Sequence, residues 1–215
     1  WSHTCGLDIS GATWCWGNNY AGQLGDGTTT NQSAPVAVSG GRTFTGLVAG
    51  GSHTCGVASG AAWCWGNNYS GQLGDGTTAN QSAPVAVTGG RTFTGLVAGG
   101  GHTCGLDGAG AWCWGGNASG QLGDGTTTDR SAPVAVAGGR AFASLAAGSS
   151  HTCGRASSGA AWCWGDGRYG RLGDDTLDYR TVPALVAGQA VPTPTASPAP
   201  GRAVFTSMAG GGAHT

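Results

Sequence analysis

The chain has 215 residues and a formal net charge of −1, with neither lysine nor glutamate: every base is Arg and every acid is Asp. Glycine supplies 45 residues, about three times the usual share, while charged residues make up 9% against roughly 25% in ordinary domains. This excludes a protein of Lys/Glu-covered helices, and the lack of any Arg-rich run or of ~20 consecutive apolar residues argues against nucleic-acid binding and membrane insertion.

Read from its N-terminus, the chain is one unit written four times. HTCG stands at His3, His53, His102 and His151, and about ten residues later comes WCWGNNYAGQLGDGT from Trp14 or its counterpart from Trp63, Trp112 or Trp162. A fifth His-Thr pair, His214-Thr215, ends the sequence. Successive histidines are 50, 49, 49 and 63 residues apart. Each unit reads as four strands: HTCGL, AAWCWG, APVAV and a last strand, RTFTGLVAG, leading into the next HTCG. β-branched and aromatic runs bounded by Gly, Asn, Asp and Pro carry that reading. Four antiparallel strands per 40–50 residues predict propeller blades. The chain is expected to be one repeat domain, 1–215, with repeats at about 3–52, 53–101, 102–150 and 151–213, and to be part of a longer chain.

The eight cysteines fall in pairs, one per repeat: Cys5/Cys15, Cys55/Cys64, Cys104/Cys113 and Cys153/Cys163. Cys55 and Cys64 are symmetric about Ser59-Gly60, as a two-residue hairpin turn requires, and counting outward makes 55:64 a non-hydrogen-bonded pair. Such pairs bring Cα atoms within disulfide reach. The third repeat gives the same count about Gly108-Ala109, while the first and fourth carry one extra residue, to be absorbed by a three-residue turn or bulge. A zinc site is the rival, since His and Cys two apart share a strand face. The cysteines lack CxxC-type spacing and a fourth ligand, so disulfides are favoured, and with them an oxidising setting: extracellular, cell-surface or periplasmic.

Trp63 and Trp65 flank Cys64, so period two puts both indoles on the face opposite the sulfur. A sheet with indoles on one face and a disulfide on the other needs cover on both, which stacked blades provide. An exposed aromatic platform for sugars or bases is the alternative. Asp26, Asp75 and Asp124 in GQLGDGT read as side-chain-capped turns, since no run of oxygen ligands for calcium exists. The one His per repeat reads as a buried or strand-edge imidazole with a local partner, because residues copied into every blade make poor catalysts. No catalytic, cofactor or metal residue is assigned. N-x-S sequons stand at Asn31, Asn68, Asn80 and Asn117 and would carry glycans only if the source glycosylates.

The fourth repeat departs from the others. Arg168, Arg171 and Arg180 sit among Asp166, Asp174, Asp175 and Asp178, with Tyr169 and Tyr179. Arg and Tyr are typical of interface hot spots, which makes Arg168, Tyr169, Arg171, Asp178, Tyr179 and Arg180 the candidate partner-binding residues; a self-paired, solvated charge cluster is the bland reading. A proline-rich loop, 190–203, follows, with Pro192, Pro194, Pro198 and Pro200 favouring extended polyproline; it reads as a loop excursion or a docking peptide.

The pattern H-T-C-G…W-C-W-G-x-N-x-x-G-Q-L-G-D-G-T…P-V-x-V…F-x-x-L-x-A-G resembles the regulator-of-chromosome-condensation repeat family over almost the whole chain. The resemblance implies a β-propeller, commonly of seven blades, and the added Cys pair is similar to that of exported bacterial members. Nucleotide exchange on a small GTPase and chromatin binding belong to intracellular eukaryotic members, against which disulfides and near-neutral charge both count. Secreted bacterial propellers of this kind include a protein inhibitor of β-lactamases that binds through loops on one face. The expected function is therefore an exported protein-interaction or structural scaffold module, with a subunit of a surface or envelope assembly as one form of it. The alternative is a carbohydrate-active or carbohydrate-binding propeller, for which the absence of Glu and the few unique Asp leave little acid/base chemistry.

Overall fold

Short alternating runs broken by glycine leave no stretch long enough for an α-helix, and the chain is all-β. A computed structural model describes residues 2–189; the proline-rich stretch 190–203 and the fifth His-Thr lie outside them. The strands form four antiparallel sheets. The first holds β1 (His3–Leu7), β2 (Thr13–Gly17) and β3 (Gln32–Ala37). The second holds β4 (Gly46–Ala49), β5 (His53–Ala58), β6 (Ala61–Gly66) and β7 (Gln81–Ala86). The third repeats this with β8 (Gly95–Ala98), β9 (His102–Asp107), β10 (Gly110–Gly115) and β11 (Arg130–Ala135). The fourth holds β12 (Phe142–Ala147), β13 (His151–Ala156), β14 (Ala161–Gly165) and β15 (Arg180–Leu185).

The last strand of each sequence repeat pairs with the HTCG strand of the next, so sheets and repeats are offset by one strand. The cause is the connection: β4 and β5 are separated only by Gly50, Gly51 and Ser52, and Gly50 N–H donates to His53 O at 2.8 Å, which forces a hairpin. The inner strands β4, β8 and β12 then lie against one another, and the sheets succeed each other as blades without closing.

Each hairpin has the predicted register, Cys55 opposite Cys64 and Cys104 opposite Cys113. In the first and fourth sheets the extra residue enlarges the turn: Asp8 N–H donates to Ala12 O and Ala156 N–H to Ala160 O, keeping Cys5 opposite Cys15 and Cys153 opposite Cys163. All four pairs are disulfide-bonded with Cα atoms 4.1 Å apart.

The core lies between blades. The sulfur face of one sheet meets the indole face of the next: Cys55, Val57 and Cys64 pack with Phe93 and Trp114, and Cys104 and Cys113 with Phe142, Trp162 and Trp164. Leu24, Leu73 and Leu122, from the GQLG loops, are fully buried plugs in the three layers. Trp65, Trp114 and Trp164 are fully buried, and burying an aromatic of this size is worth roughly 2–3 kcal/mol.

Candidate interaction surface

Most residues copied in every blade turn out to be construction. His53 Nε2 meets Thr103 Oγ1 of the following blade at 2.9 Å, as His3 meets Thr54 and His102 meets Thr152. The partner is about fifty residues away, so the expectation of a local partner is corrected: the imidazole is a tie between blades. Asn19, fully buried, knits its loop by donating through Nδ2 to Asp26 Oδ1 and to the carbonyls of Thr28 and Thr30, while its Oδ1 accepts Leu24 N–H. Asp26 is a turn cap: Oδ1 accepts the Thr28 N–H and hydroxyl at 2.9 Å. Burial alone would raise its pKa, but these donors and Asn19 outweigh burial and hold it below the usual carboxylate value. Among the described residues no group of three or more His, Cys, Asp or Glu could hold a metal.

The sequons divide by burial. Asn68 and Asn117 are fully buried loop-knitting residues, whereas Asn31 and Asn80 stand at exposed loop positions. Of the four outer indoles only Trp14 stands exposed, and the other three are not a bare platform. Arg42 lies 3.4 Å over the Trp63 ring, Arg91 2.9 Å over Trp112 and Arg140 4.7 Å over Trp162. These cation–π caps were missed in the sequence. The signal was there: GGR stands two residues before Phe44, Phe93 and Phe142 alike, and an Arg in each repeat of a charge-poor chain has to go somewhere.

The ends of the blades differ. Hairpin turns and the β3–β4-type loops share one end; the long loops holding GQLGDGT share the other with the links between repeats. At this loop end the long loops and the first residues of the strands that follow carry eight aspartates against four arginines. Tyr20 and Tyr69 project there, 77% and 76% exposed.

The fourth loop is built on its own plan. Asp166 replaces Asn18 and Asn67 and is fully buried; its carboxylate takes two bonds from Arg168, at 3.0 Å from Nε and 2.6 Å from Nη2, and one from Arg171 at 3.4 Å. The Arg168 bonds are the main cause holding Asp166 below the usual carboxylate range. Gly167 stands where the other loops have the knitting Asn, and a Cβ there would collide with the Asp178 carbonyl. Arg180 binds Asp174 at 2.6 Å. Between the two clamped arginines Tyr169 adopts φ 63° and is 90% exposed, and Asp175 takes φ 62° where the other loops have Gly. Left-handed backbone at a bulky residue is strained, and strain of this kind gathers at functional sites. Leu177 and Tyr179 are 67% and 50% exposed. All six candidate residues are thus in one loop and the strand it enters, with Arg168 and Arg171 joined through one carboxylate.

The family model for the regulator of chromosome condensation (RCC1) repeat matches residues 10–57, 59–106, 110–154 and 158–215, and the chain belongs to that family. No curated protein sequence matches it. Among solved structures it is similar to human WBSCR16, with 23% identity and a TM-score of 0.79 over 98% of this chain and 54% of that one. Yeast RCC1 (Prp20), solved bound to Kap60, gives 23% identity and 0.76 over 86% and 46%. The ectodomain of the Physcomitrella patens receptor kinase CR4 gives 26% identity and 0.50 over 76% and 36%. The chain therefore spans about half the length of the WBSCR16 and yeast RCC1 chains, the likeness establishes an RCC1-type propeller fold, and each of the four blades carries one disulfide.

Proposed function

We propose that the chain is a protein-binding propeller module, acting in an exported setting (extracellular, cell-surface or periplasmic), and that it meets its partner through the loop of the fourth blade. It forms one repeat domain, 1–215, within a longer chain, and has no catalytic role. The observation that carries this reading is the fourth loop itself. Buried Asp166 clamps Arg168 and Arg171 so that a strained Tyr169 stands out to solvent beside Tyr179 and Leu177. Rigid, exposed Tyr and Arg are what interface hot spots use, and ordering them in advance lowers the entropy lost on binding. Disulfides in every blade support a non-reducing compartment, and the CR4 neighbour is an ectodomain. A carbohydrate platform has less support, because three of the four outer indoles are capped by arginines and the fourth, Trp14, donates its indole N–H to Asp8.

The test is native mass spectrometry of the protein purified gently from its source without reductant. A stoichiometric second protein is expected with the wild type and lost with the double variant Tyr169→Ala, Tyr179→Ala. A complex that survives the double variant, or no complex at all, would remove the proposal.

A further inference from the structure

The exposed apolar surface of the fourth loop is Tyr169, Leu177 and Tyr179, and the residues threaded between them say what it fits. Leu177, Asp178 and Tyr179 stand where the first loop has Thr29, Thr30 and Asn31. Eight of the ten aspartates put their carboxylates to use inside the fold, as loop caps like Asp26 or as arginine clamps like Asp166 and Asp174. The two that do not are Asp175 and Asp178. Both are exposed, and among the described residues their carboxylates accept no hydrogen bond and form no ion pair.

Asp175 also costs the fold something. Its counterparts Gly27, Gly76 and Gly125 take φ of 86–87° without steric penalty, whereas Asp175 takes φ 62° with a side chain attached. A glycine would serve the turn better, and the carboxylate returns no bond for the strain. The nearby cations are already committed. Arg168 and Arg171 bind Asp166 and lie 5.9 Å from the Tyr179 ring and 5.5 Å from the Tyr169 ring, while Arg180 binds Asp174. Across the whole loop end the four arginines bind three aspartates, leaving five of the eight without an ion pair among the described residues.

We propose that this surface takes a basic protein partner, with Arg or Lys meeting Asp175 and Asp178 and an apolar side chain seated on Tyr169, Leu177 and Tyr179. The inference rests on the fourth loop being the recognition surface, and it adds the chemistry of the partner. Unpaired negative charge steers a cationic partner in and repels an anionic one, so the aspartates quicken association. The rings supply the buried contact, so they slow dissociation.

Selection of random linear peptides on the disulfide-bonded full chain tests this, followed by association and dissociation rates for the enriched sequences. Those sequences are expected to carry Arg or Lys beside an apolar residue and to lose binding with Tyr169→Ala, Tyr179→Ala. The double variant Asp175→Gly, Asp178→Asn is expected to slow association several-fold and to remove most of its salt dependence. Asp175→Gly alone should leave the melting temperature unchanged or raised, so that weaker binding is not lost folding. Enriched sequences that are neutral or acidic overturn the inference, as does the absence of any enriched sequence. So does self-association of the wild type that Tyr169→Ala abolishes, since the occupant would then be a second copy. If binding needs Tyr169 and Tyr179 but ignores both aspartates, the recognition surface stands and only the basic partner falls. Binding that ignores all four residues removes both.

Discussion

Thr103 Oγ1 lies 2.9 Å from His53 Nε2 on the preceding blade and 2.9 Å from the Gln72 carbonyl oxygen. A hydroxyl has one proton, and the carbonyl can only accept, so Thr103 donates to Gln72 and His53 must donate through Nε2. The other ring nitrogen, Nδ1, is buried without a partner, as it is in His3, His102 and His151. It faces Gly50, where a Cβ would stand 2.5 Å from it. The imidazole is thus held neutral, in one tautomer, as a strut between blades.

Acid should undo this. Burial, then the charges of neighbouring histidines, lowers the pKa of His53 and His102 from 6.5 to about 3. Because the folded value lies below the unfolded one, the unfolded chain binds more protons between those limits. Stability is therefore complete above about pH 6.5 and falls as pH drops toward 3, by up to about 1.4 kcal/mol per pH unit for each histidine. The hydrogen-bonded aspartates, also lowered, add loss in the same direction below about pH 4. Urea unfolding at several pH values checks this; a profile flat from neutrality to pH 4 contradicts it.

Thr103→Val keeps the shape and removes the hydroxyl, stranding the His53 N–H and the Gln72 carbonyl inside the layer. The expected cost is about 1–3 kcal/mol, recovered largely by Thr103→Ser. Chemical denaturation of the two variants is the measurement, and equal loss in both would show that packing, not the hydroxyl, matters.

Two neighbouring glycines should behave oppositely. At Gly99 a Cβ would stand 2.2 Å from His102 Cε1 and 2.5 Å from the Gly148 carbonyl, so Gly99→Ala must push blades apart. At Gly95, in β8, nothing lies within 4 Å, and Gly95→Ala should be neutral or stabilise by about 0.5–1 kcal/mol through reduced chain entropy. Melting temperatures of the pair decide it.

The disulfides should open in order. Cys55, Cys64, Cys104 and Cys113 are fully buried, whereas Cys5 and Cys153 are half-buried. Graded reduction with alkylation and mass spectrometry should label Cys5–Cys15 and Cys153–Cys163 first. Losing any one bridge, with a loop of about ten residues, should cost about 2–3 kcal/mol.

The repeat made the blade, its hairpin register and its two-faced packing readable, because Cys-to-Cys symmetry and period two are local arithmetic. The position of the Arg–Trp caps and the His–Thr ties was not readable, since each joins residues about twenty or fifty apart whose meeting depends on how sheets stack. The offset of sheet and repeat followed from the three-residue link before each His, which marks a hairpin more firmly than the repeat boundary drawn there. The charge shift at Arg168–Arg180 pointed to the fourth loop, but the burial of Asp166 and the strain at Tyr169 needed coordinates.

The central claim, that the fourth loop is where this propeller meets a protein, is most directly tested by placing a photoreactive phenylalanine analogue at residue 169, and separately at 20, in the protein in its native setting. Irradiation is expected to give one discrete crosslinked protein from position 169 and none from position 20. The same product from both positions, or none from 169, would contradict the account.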